Sequence, residues 1–320
     1  LAAQYAYTQK ERNKPQDMTI GGAMDAFIDA RSAALSPSTI RSYRQINRCY
    51  FQDLHALRLR DLTNTIVQRQ VNAISLRCSP KTVRNALALL TSVLKVYHPD
   101  FAVRVDLPRK IKHEITIPSK SDVHRLLTAA QGTPLESAIL LAAGYGLRRG
   151  EISAICFSDI DLDACTIHIS KAYAKSNDNS WLLKSPKSYA GTRTISVSAN
   201  LIDRLYANRT DPQRVLPFPP DYITNHFSRL CDRLGMSFRF HDLRHYNASI
   251  MLAMNIPDKY AMERLGQSTP GMIKSVYQHN MADKRQEVSS LVNSAADDLL
   301  VQCDTKCDTK SETPLKINVL

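Results

Sequence analysis

The chain has 320 residues, 43% of them hydrophobic, which is enough apolar sequence to form the cores of two ordinary domains. No apolar run approaches the roughly 20 residues of a membrane-spanning helix, so the sequence excludes a helical membrane protein and predicts a soluble chain without a membrane partner. The seven cysteines are scattered and form no CxxC pair, which favours a reduced cytoplasmic protein over a disulfide or zinc framework.

The net charge of +12 is concentrated in the N-terminal third of the chain. Residues 1–118 carry 18 Lys and Arg against 9 Asp and Glu, whereas residues 119–302 carry 21 against 18. A basic region of this kind fits a polyanionic partner, most simply nucleic acid, although a solvated charged surface has the same composition.

Four amphipathic helices are predicted between residues 19 and 99, after a polar lead-in at 1–18. Ser36 and Ser79 each precede a proline and predict a helix start with serine as the N-cap, and Thr63 is a third predicted N-cap. Apolar residues recur at intervals of three and four along each helix, which predicts a small four-helix bundle. The apolar stripes contain Ile20, Met24, Phe27 and Ile28; Ile40, Tyr43, Ile46 and Tyr50; Val67, Val71 and Ile74; and Val83, Leu87, Leu90, Leu94 and Tyr97.

The two Ser-Pro helix starts also carry basic residues, in the segments SPSTIR and SPKTVR. Hydroxyl groups, an arginine and free backbone N–H groups at a helix N-terminus make a favourable phosphate site. Helix capping accounts for the serine and proline but not for the basic residues that follow, so DNA contact is the favoured interpretation. The predicted DNA-binding residues are Ser38, Thr39, Arg41, Arg44, Arg48, Lys81, Thr82 and Arg84, together with Arg109 and Lys110 in a basic, proline-punctuated interdomain linker at 100–118.

A second domain is predicted over residues 119–301, followed by a low-complexity tail at 302–320. Ser119, three residues before Asp122, predicts a capped helix start, and ESAILLAAGYGL predicts a buried helix that ends at glycines. CTIHIS predicts a strand, and SWLLKSPKS with GTRTISVS predicts a hairpin about Tyr189-Ala190-Gly191. Helical patterns then return, so the predicted fold class is mainly α with a small β-sheet or hairpin.

Two arginine-containing segments, GYGLRRGEI and HDLRH, predict a site for a phosphate diester. Metal-free cleavage of a diester needs fixed cations around the phosphate, and arginine binds two phosphate oxygens at once while staying charged. Arg148 and Arg244 are the predicted pair. His241 shares a helical face with Arg244, and Glu151 can orient Arg148 through a salt bridge.

The predicted nucleophile is Tyr277, which follows a glycine- and proline-containing stretch that leaves the segment room to move. A phenol with a pKa of about 10 needs cationic surroundings or a nearby base before it can attack. The departing 5′-oxygen needs a proton, for which Lys187 and Lys184 are both candidates. Each of these residue types is common by itself, and the prediction depends on their ordered combination.

This combination resembles the tyrosine recombinases, or phage-type integrases. The resemblance rests on GLRRGEI at 146–152, PKSYAGTRTISV at 186–197, HDLRH at 241–245 and LGQSTPGMIKSVYQH at 265–279, and it extends over roughly residues 19–300. It implies a helical SAM-like core-binding domain at 19–99 and a mixed α/β catalytic domain. It also implies a site-specific DNA recombinase that cleaves and rejoins strands through a 3′-phosphotyrosyl intermediate, with no metal ion, ATP or other cofactor.

Matched residue by residue, Arg148 and Arg244 resemble the two arginines that clamp the phosphate, and His241 resembles the histidine beside the second arginine. Lys187 resembles the hairpin lysine that acts as general acid, and Tyr277 resembles the nucleophile.

Two further residues stand at positions of the family's motifs. Glu151 resembles the acidic partner of the first arginine. Gln267 stands where the family often has the histidine of an LGH motif. Glutamine donates a hydrogen bond to a phosphate oxygen but does not titrate near neutrality, so we expect it to position the phosphate.

The resemblance implies double-stranded DNA as the partner, at attachment or core sites, and self-association into a tetramer on that DNA. It also implies accessory directionality or DNA-bending proteins, and a place in the cytoplasm of a bacterial host, at the nucleoid. The tail at 302–320 is the predicted element for exchange between protomers. A polar lead-in without an initiating Met predicts an integrase of a phage or conjugative transposon that has lost an N-terminal arm-binding domain.

Other classes of protein fit the sequence less well. A chromosome-dimer resolvase of the same family usually starts almost at the core-binding domain and ends soon after the tyrosine, unlike this chain. A silent DNA-binding architectural protein predicts loss of Arg148, Arg244 or Tyr277, and all three are present. A metal-dependent transposase needs a carboxylate triad that does not stand out, and a type IB topoisomerase fits the compact N-terminal domain less well.

Overall fold

The computed structural model describes residues 18–111, 116–185, 191–270, 273 and 293. Residues 1–17 of the predicted lead-in, the tail at 302–320, and the predicted turn residues Tyr189 and Ala190 lie outside the described residues.

The N-terminal part is a four-helix bundle, as predicted. Helix α1 spans Ile20–Asp29, α2 spans Pro37–Tyr50, α3 spans Asn64–Ser75 and α4 spans Pro80–Tyr97. Two short 3-10 turns, Gln52–Leu54 and Leu59–Asp61, connect α2 to α3. Residues of all four predicted stripes are buried together in one hydrophobic core, which confirms that helical periodicity identified the inward faces.

The helix starts of this bundle follow from local capping chemistry. The Ser36 hydroxyl accepts a hydrogen bond from the backbone N–H of Thr39 at 3.3 Å, and the Ser79 hydroxyl accepts one from Thr82 at 3.3 Å. Thr63 caps α3 in the same way. Each cap satisfies one of the backbone donors that a helix N-terminus leaves unpaired, so all three predicted N-caps are confirmed.

The segment after α4 packs on the bundle instead of running free in solvent. Residues 101–107 alternate, so that the odd-numbered, apolar residues lie against the N-terminal core while the even-numbered ones are exposed. Its backbone is held by side chains of α3: the N–H of Arg104 donates to Asn64 Oδ1 at 2.8 Å, and that of Asp106 to Gln68 Oε1 at 2.7 Å. This contact extends the first core beyond the end of α4. The domain boundaries at 99 and 118 stay a prediction.

The C-terminal part is a second helical assembly around its own core. Its helices include α5 (Lys120–Ala130), α6 (Pro134–Tyr145), α7 (Arg149–Ile152), α8 (Ala199–Ala207), α9 (Pro220–Arg233), α10 (Asp242–Ala253) and α11 (Asp258–Leu265). Ser119 and Asp122 form the predicted capping box at the start of α5. Helix α6 is buried on most sides and ends at Gly146, which has a φ of +70°. The predicted buried helix that ends at glycines is therefore confirmed.

Among the described residues between α7 and α8, five separate segments form short strands. They are β1 (Ile160–Asp161), β2 (Thr166–Ile169), β3 (Ala172–Lys175), β4 (Trp181–Lys184) and β5 (Arg193–Ser196). Strands β1, β2 and β5 form one antiparallel sheet in that order, and β3 pairs with β4 in a separate two-stranded sheet. The strand predicted in CTIHIS is β2.

The predicted pairing of SWLLKSPKS with GTRTISVS is wrong. Strand β4 pairs with β3, with Ala172 opposite Lys184, and β5 pairs with β2, with Ile167 opposite Ile195. A local turn favours the first pairing, because Asp178 accepts hydrogen bonds from the backbone and hydroxyl of Ser180. The second pairing places apolar residues of both strands in the core, a long-range effect that strand patterns alone do not show.

Within the described ranges, no helix is both long enough and apolar enough to cross a membrane.

Candidate functional site

The first predicted arginine lies at the start of α7, where the chain leaves the buried helix α6. Arg148 donates from Nη1 to Glu151 Oε1 at 2.7 Å, and its backbone N–H donates to Glu151 Oε2 at 2.9 Å. The carboxylate of Glu151 is almost completely buried, whereas about two fifths of the Arg148 side chain is exposed. The predicted salt bridge is present, and part of the Arg148 side chain remains open to solvent.

The second predicted arginine, Arg244 on α10, is buried to 1% exposure. Its Nη1 donates to the carbonyl oxygen of Gly146, and its Nη2 donates to that of Leu265 at 2.7 Å. Arg244 therefore joins the end of α6 to the end of α11. Burial, and then the positive charge of Arg148, lower the pKa of Arg244 to about 9, so it stays charged at neutral pH.

The turn that ends α11 brings the two arginines together. Arg148 Nη2 donates to the carbonyl oxygen of Gly266 at 2.8 Å, next in sequence to the Leu265 carbonyl that binds Arg244. Gln267 follows directly, and its backbone N–H donates to Met262 at 2.9 Å. The structure thus brings Arg148, Arg244 and Gln267 to one place, although nearly a hundred residues separate the two arginines in sequence.

His241 lies at the N-terminus of α10, one turn before His245, and the two rings meet edge to face at 5.1 Å between centroids. Part of His241 faces solvent. Loss of hydration, together with the positive charges of Arg244 and Arg148 and the neighbouring His245, lowers its pKa to about 4. The imidazole is therefore neutral at physiological pH, with one N–H donor and one acceptor nitrogen.

The Gly146 turn is sterically tight. A Cβ atom at this position would approach Leu265 Cδ2 and Asn247 Oδ1 to less than 3.0 Å, and the φ of +70° is itself unfavourable for other residues. Asn247 fixes the same turn by donating to the carbonyl oxygens of Ala143 at 3.1 Å and Gly144 at 2.8 Å. The glycine allows the backbone that receives Arg244 to pass close to α10 and α11.

One arginine of the site was missed by sequence reasoning. Arg193 on β5 is 8% exposed and forms a two-point ion pair with Glu151, with Nη2 3.0 Å from Oε2 and Nη1 3.3 Å from Oε1. Burial alone would raise the pKa of Glu151, but the hydrogen bond and charge of Arg193 and the charge of Arg148 outweigh it and lower that pKa. The only sequence signal was an arginine on the same strand face as the core residue Ile195.

The contacts above do not include the predicted nucleophile or the predicted general acid. Tyr277 and Lys187 both lie outside the described residues. Lys184, the alternative general acid, ends β4 and pairs in register with Ala172. Among the residues that the structure does describe, no group of three or more His, Cys, Asp or Glu side chains is arranged to hold a metal ion.

The predicted DNA-binding residues fall into two groups. Arg41, Arg44 and Arg48 line a polar cleft of about 510 Å³ between α2 and the β3–β4 turn. Arg41 donates to Asn179 Oδ1 at 2.9 Å across this cleft, and Arg44 pairs with Asp29 at 2.8 Å. The second group lies outside this cleft lining. The hydroxyls of Ser38, Thr39 and Thr82 hydrogen bond to the capping serines, and half-buried Arg84 donates to the carbonyl oxygen of Pro108 at 2.7 Å. The side chains of Lys81, Arg109 and Lys110 are exposed.

A model of the phage integrase family matches residues 119–284, just over half of the chain. The chain therefore belongs to the phage integrase family. It is a tyrosine recombinase, and hence an enzyme that performs site-specific DNA recombination. The resemblance inferred from the sequence motifs is confirmed.

Individual relatives agree with this assignment. The chain is 26% identical to a prophage phiRv2 integrase of Mycobacterium tuberculosis, over 75% of this chain and 68% of that protein. It is 22% identical to a XerC-like tyrosine recombinase of Caldanaerobacter subterraneus, over 87% of this chain and 83% of the relative.

Solved structures share the fold. The Tn1549 transposon integrase in complex with transposon right end DNA has a TM-score of 0.71 and 16% identity, covering 84% of this chain and 99% of that one. A lambda integrase dimer bound to a COC′ core site has a TM-score of 0.60 and 16% identity, covering 84% of this chain and 79% of that one. The predicted fold class is confirmed.

Proposed function

We propose that the chain exchanges DNA strands at the attachment sites of a mobile element, with Tyr277 as the nucleophile. The tyrosine oxygen attacks the scissile phosphorus and forms a 3′-phosphotyrosyl bond, while the bond to the 5′-oxygen breaks. Lys187 delivers a proton to that departing oxygen. A 5′-hydroxyl from the partner strand then reverses the step. The energy of the broken bond is retained in the phosphotyrosine, so resealing requires no ATP.

The observation that carries the proposal is the joint anchoring of Arg148 and Arg244. Their guanidinium groups bind consecutive carbonyl oxygens, those of Gly266 and Leu265. A guanidinium has five N–H donors, and each arginine uses two terminal nitrogens in the bonds described above, so donors remain to bind an approaching phosphate. Fixed in this way, the two cations bracket a diester without reorganising as charge develops in the transition state.

Charge balance supports an anion at this place. Arg148, Arg193 and Arg244 converge around a single buried carboxylate, that of Glu151, which leaves an excess of positive charge. A bound phosphate diester compensates part of this excess. The neutral imidazole of His241 supplies an N–H for a phosphate oxygen or a nitrogen that accepts the tyrosine proton, and Gln267 adds an amide donor.

The N-terminal bundle is the proposed DNA-binding domain. The row of Arg41, Arg44 and Arg48 along the cleft gives three cations on one face of α2, which suits a phosphate backbone. We propose that protomers assemble as a tetramer on DNA, as in the lambda integrase tetramer bound to a Holliday junction. The tail at 302–320 is the proposed exchange element, accessory directionality or bending factors are the proposed partners, and the site of action is the nucleoid in the bacterial cytoplasm.

The assignment of Tyr277 is tested with a duplex from the recombination site that carries a nick beside the cleavage point, so that cleavage traps the covalent adduct. In EDTA, wild-type protein is expected to form an adduct that survives denaturation, and Y277F is expected to form none. Tyr260, a 63% exposed tyrosine on α11, provides the matched control, since Y260F is expected to retain the wild-type yield. Equal adduct formation by Y277F and wild type refutes the assignment.

The choice between the two lysines has its own test. A 5′-bridging phosphorothioate has a leaving group that departs without a proton, so it is expected to restore cleavage by K187A. K184A is expected to cleave the ordinary substrate at nearly the wild-type rate. Rescue of K184A alone refutes the assignment of Lys187 as general acid.

A second candidate function is resolution of chromosome dimers. It is favoured by the XerC-like relative, whose match covers more of this chain than that of the prophage integrase. Deletion of the gene in its host distinguishes the two functions. Loss of excised circular element DNA supports the mobile-element role, whereas accumulation of chromosome dimers supports resolution.

A further inference from the structure

Arg193 is a buried cation whose presence requires an explanation. Its side chain is 6% exposed. Arg193 is the first residue of β5, and it lies on the same face of the strand as Ile195, which is part of the core. Removing a charged group from water is unfavourable, and buried ion pairs are often replaceable by apolar residues of similar volume without loss of stability. Stability by itself therefore gives no reason for an arginine at this position.

The first contact of Arg193 leads to Arg148 through a shared carboxylate. Glu151 Oε1 accepts from Nη1 of both arginines, at 2.7 Å from Arg148 and 3.3 Å from Arg193. Its Oε2 accepts from the Arg148 backbone N–H at 2.9 Å and from Arg193 Nη2 at 3.0 Å. The planar fork of Arg193 thus fixes the plane of the carboxylate, and that carboxylate fixes the guanidinium of Arg148.

The second contact of Arg193 leads to the end of α11. Its Nε donates to the carbonyl oxygen of Arg264 at 2.9 Å. The next two carbonyl oxygens, those of Leu265 and Gly266, accept from Arg244 and Arg148. Three consecutive carbonyls are therefore each held by a different arginine, at a helix C-terminus where carbonyls lack partners within the helix and the dipole is negative.

We propose that Arg193 is a positioning residue for strand cleavage. It holds both the Glu151 carboxylate and the carbonyl ladder 264–266 in the one arrangement that aims Arg148, Arg244 and Gln267 at a common phosphate. This inference rests on the proposed function, in which Arg148 and Arg244 clamp the scissile diester. Arg193 itself is enclosed by protein and acts through Glu151 and the ladder, not through contact with DNA.

The test measures adduct formation on the nicked duplex at saturating protein, together with the Kd for the same DNA. R193M is expected to slow cleavage about 100-fold, the loss that a displacement near 1 Å of a reacting group produces, while the Kd stays within about threefold. R193K keeps the charge but loses the fork, so an intermediate rate is expected. The matched control is R204M. Arg204 also pairs with a buried glutamate, Glu136, at 2.8 Å, but it lies on α8 and takes no part in the contacts of Arg193 described above.

Two readouts separate positioning from a general structural defect. A neutral methylphosphonate at the scissile position removes the charge that the arginines stabilise, so the R193M defect is expected to shrink to less than about tenfold. In a double-mutant cycle with E151Q, the two substitutions are expected to be strongly non-additive, because both break the same connection. A misfolded variant would show neither effect, and thermal unfolding identifies it. Should R193M fail to fold, R193K with the same two readouts carries the test.

The outcomes distinguish this inference from the proposed function. If R148A loses cleavage by about 100-fold or more while R193M and R193K both stay within threefold of wild type, the positioning role is wrong and the phosphate clamp stands. Additive effects in the cycle with E151Q also overturn the positioning role. If R148A itself cleaves at the wild-type rate, the proposed phosphate clamp is wrong.

Discussion

Replacing Arg244 with lysine should convert the recombinase into an enzyme whose activity falls steeply above neutral pH. Arg244 is fully buried and binds the carbonyl oxygens of Gly146 and Leu265 with its two terminal nitrogens. The R244K substitution keeps a positive charge in the same cavity. However, a lysine ammonium is a point charge that cannot reproduce the two-point fork, and its pKa moves readily on burial.

The magnitude follows from the environment of Arg244. Burial and the neighbouring positive charges lower the pKa of this group from its ordinary, much higher value to about 9. The same depression applied to a lysine, whose ordinary pKa is about 10.4, gives a value of roughly 7 in the free enzyme. Two pH units above that value, only about 1% of the R244K enzyme carries the charge that the phosphate needs, so we expect a loss of about 100-fold at pH 9 beyond any loss at pH 6.

The assay is the second-order rate constant for adduct formation on the nicked duplex, measured with DNA far below Kd from pH 6 to 9. This constant reports the pKa values of the free enzyme, whereas the rate at saturation reports those of the DNA complex, in which phosphate raises the lysine pKa. Dividing each R244K value by the wild-type value at the same pH removes the titration of all other groups.

R148K is the matched control, since the Arg148 side chain is 39% exposed and a lysine there is hydrated. Its rate relative to wild type is expected to stay flat over the same range. A flat R244K ratio up to pH 9 would refute the reasoning that burial controls the charge at position 244.

Three further outcomes are expected. G146A should destabilise the fold by about 2–4 kcal/mol in urea unfolding, against about 1–2 kcal/mol for G132A. Both glycines have positive φ, but of the two only position 146 would bring an added Cβ atom against neighbouring atoms. Equal losses would contradict the steric argument. Lowering the pH from 6.5 towards 4 should reduce the melting temperature of wild type more than that of H241Q. The folded pKa of His241, about 4, lies below its unfolded value, so the unfolded chain binds more protons throughout this window and acid destabilises the fold. An identical fall in both proteins would count against the low pKa of His241. S119A should cost about 1 kcal/mol through loss of the α5 cap, and a change near zero would mean that the cap contributes nothing.

Local chemistry made much of the fold predictable from sequence. The helix starts at Ser36, Thr63, Ser79 and Ser119 depend on a side chain and a backbone N–H three residues apart, and such contacts are visible in the sequence itself. The end of α6 at Gly146 depends on a single residue that tolerates positive φ. The inward helix faces followed from periodicity for the same reason.

The strand pairing was not predictable in this way. Strands β2 and β5 lie some thirty residues apart, and which strands pair depends on how their apolar faces meet the helices around them. A hairpin between neighbouring segments was the simpler prediction, and tertiary packing overrode it.

The candidate site, too, was predictable from the sequence only in part. The sequence by itself indicated the family, which the family model confirms, and it predicted Arg148, Glu151, His241 and Arg244 as members of one site from their residue types and order along the chain. Only the tertiary structure showed that both arginines bind consecutive carbonyls at the end of α11, and that Arg193 binds the carbonyl that precedes them and the carboxylate of Glu151. The physical reason is that a buried charge is stable only beside its partners, and those partners come from chain segments that are distant in sequence.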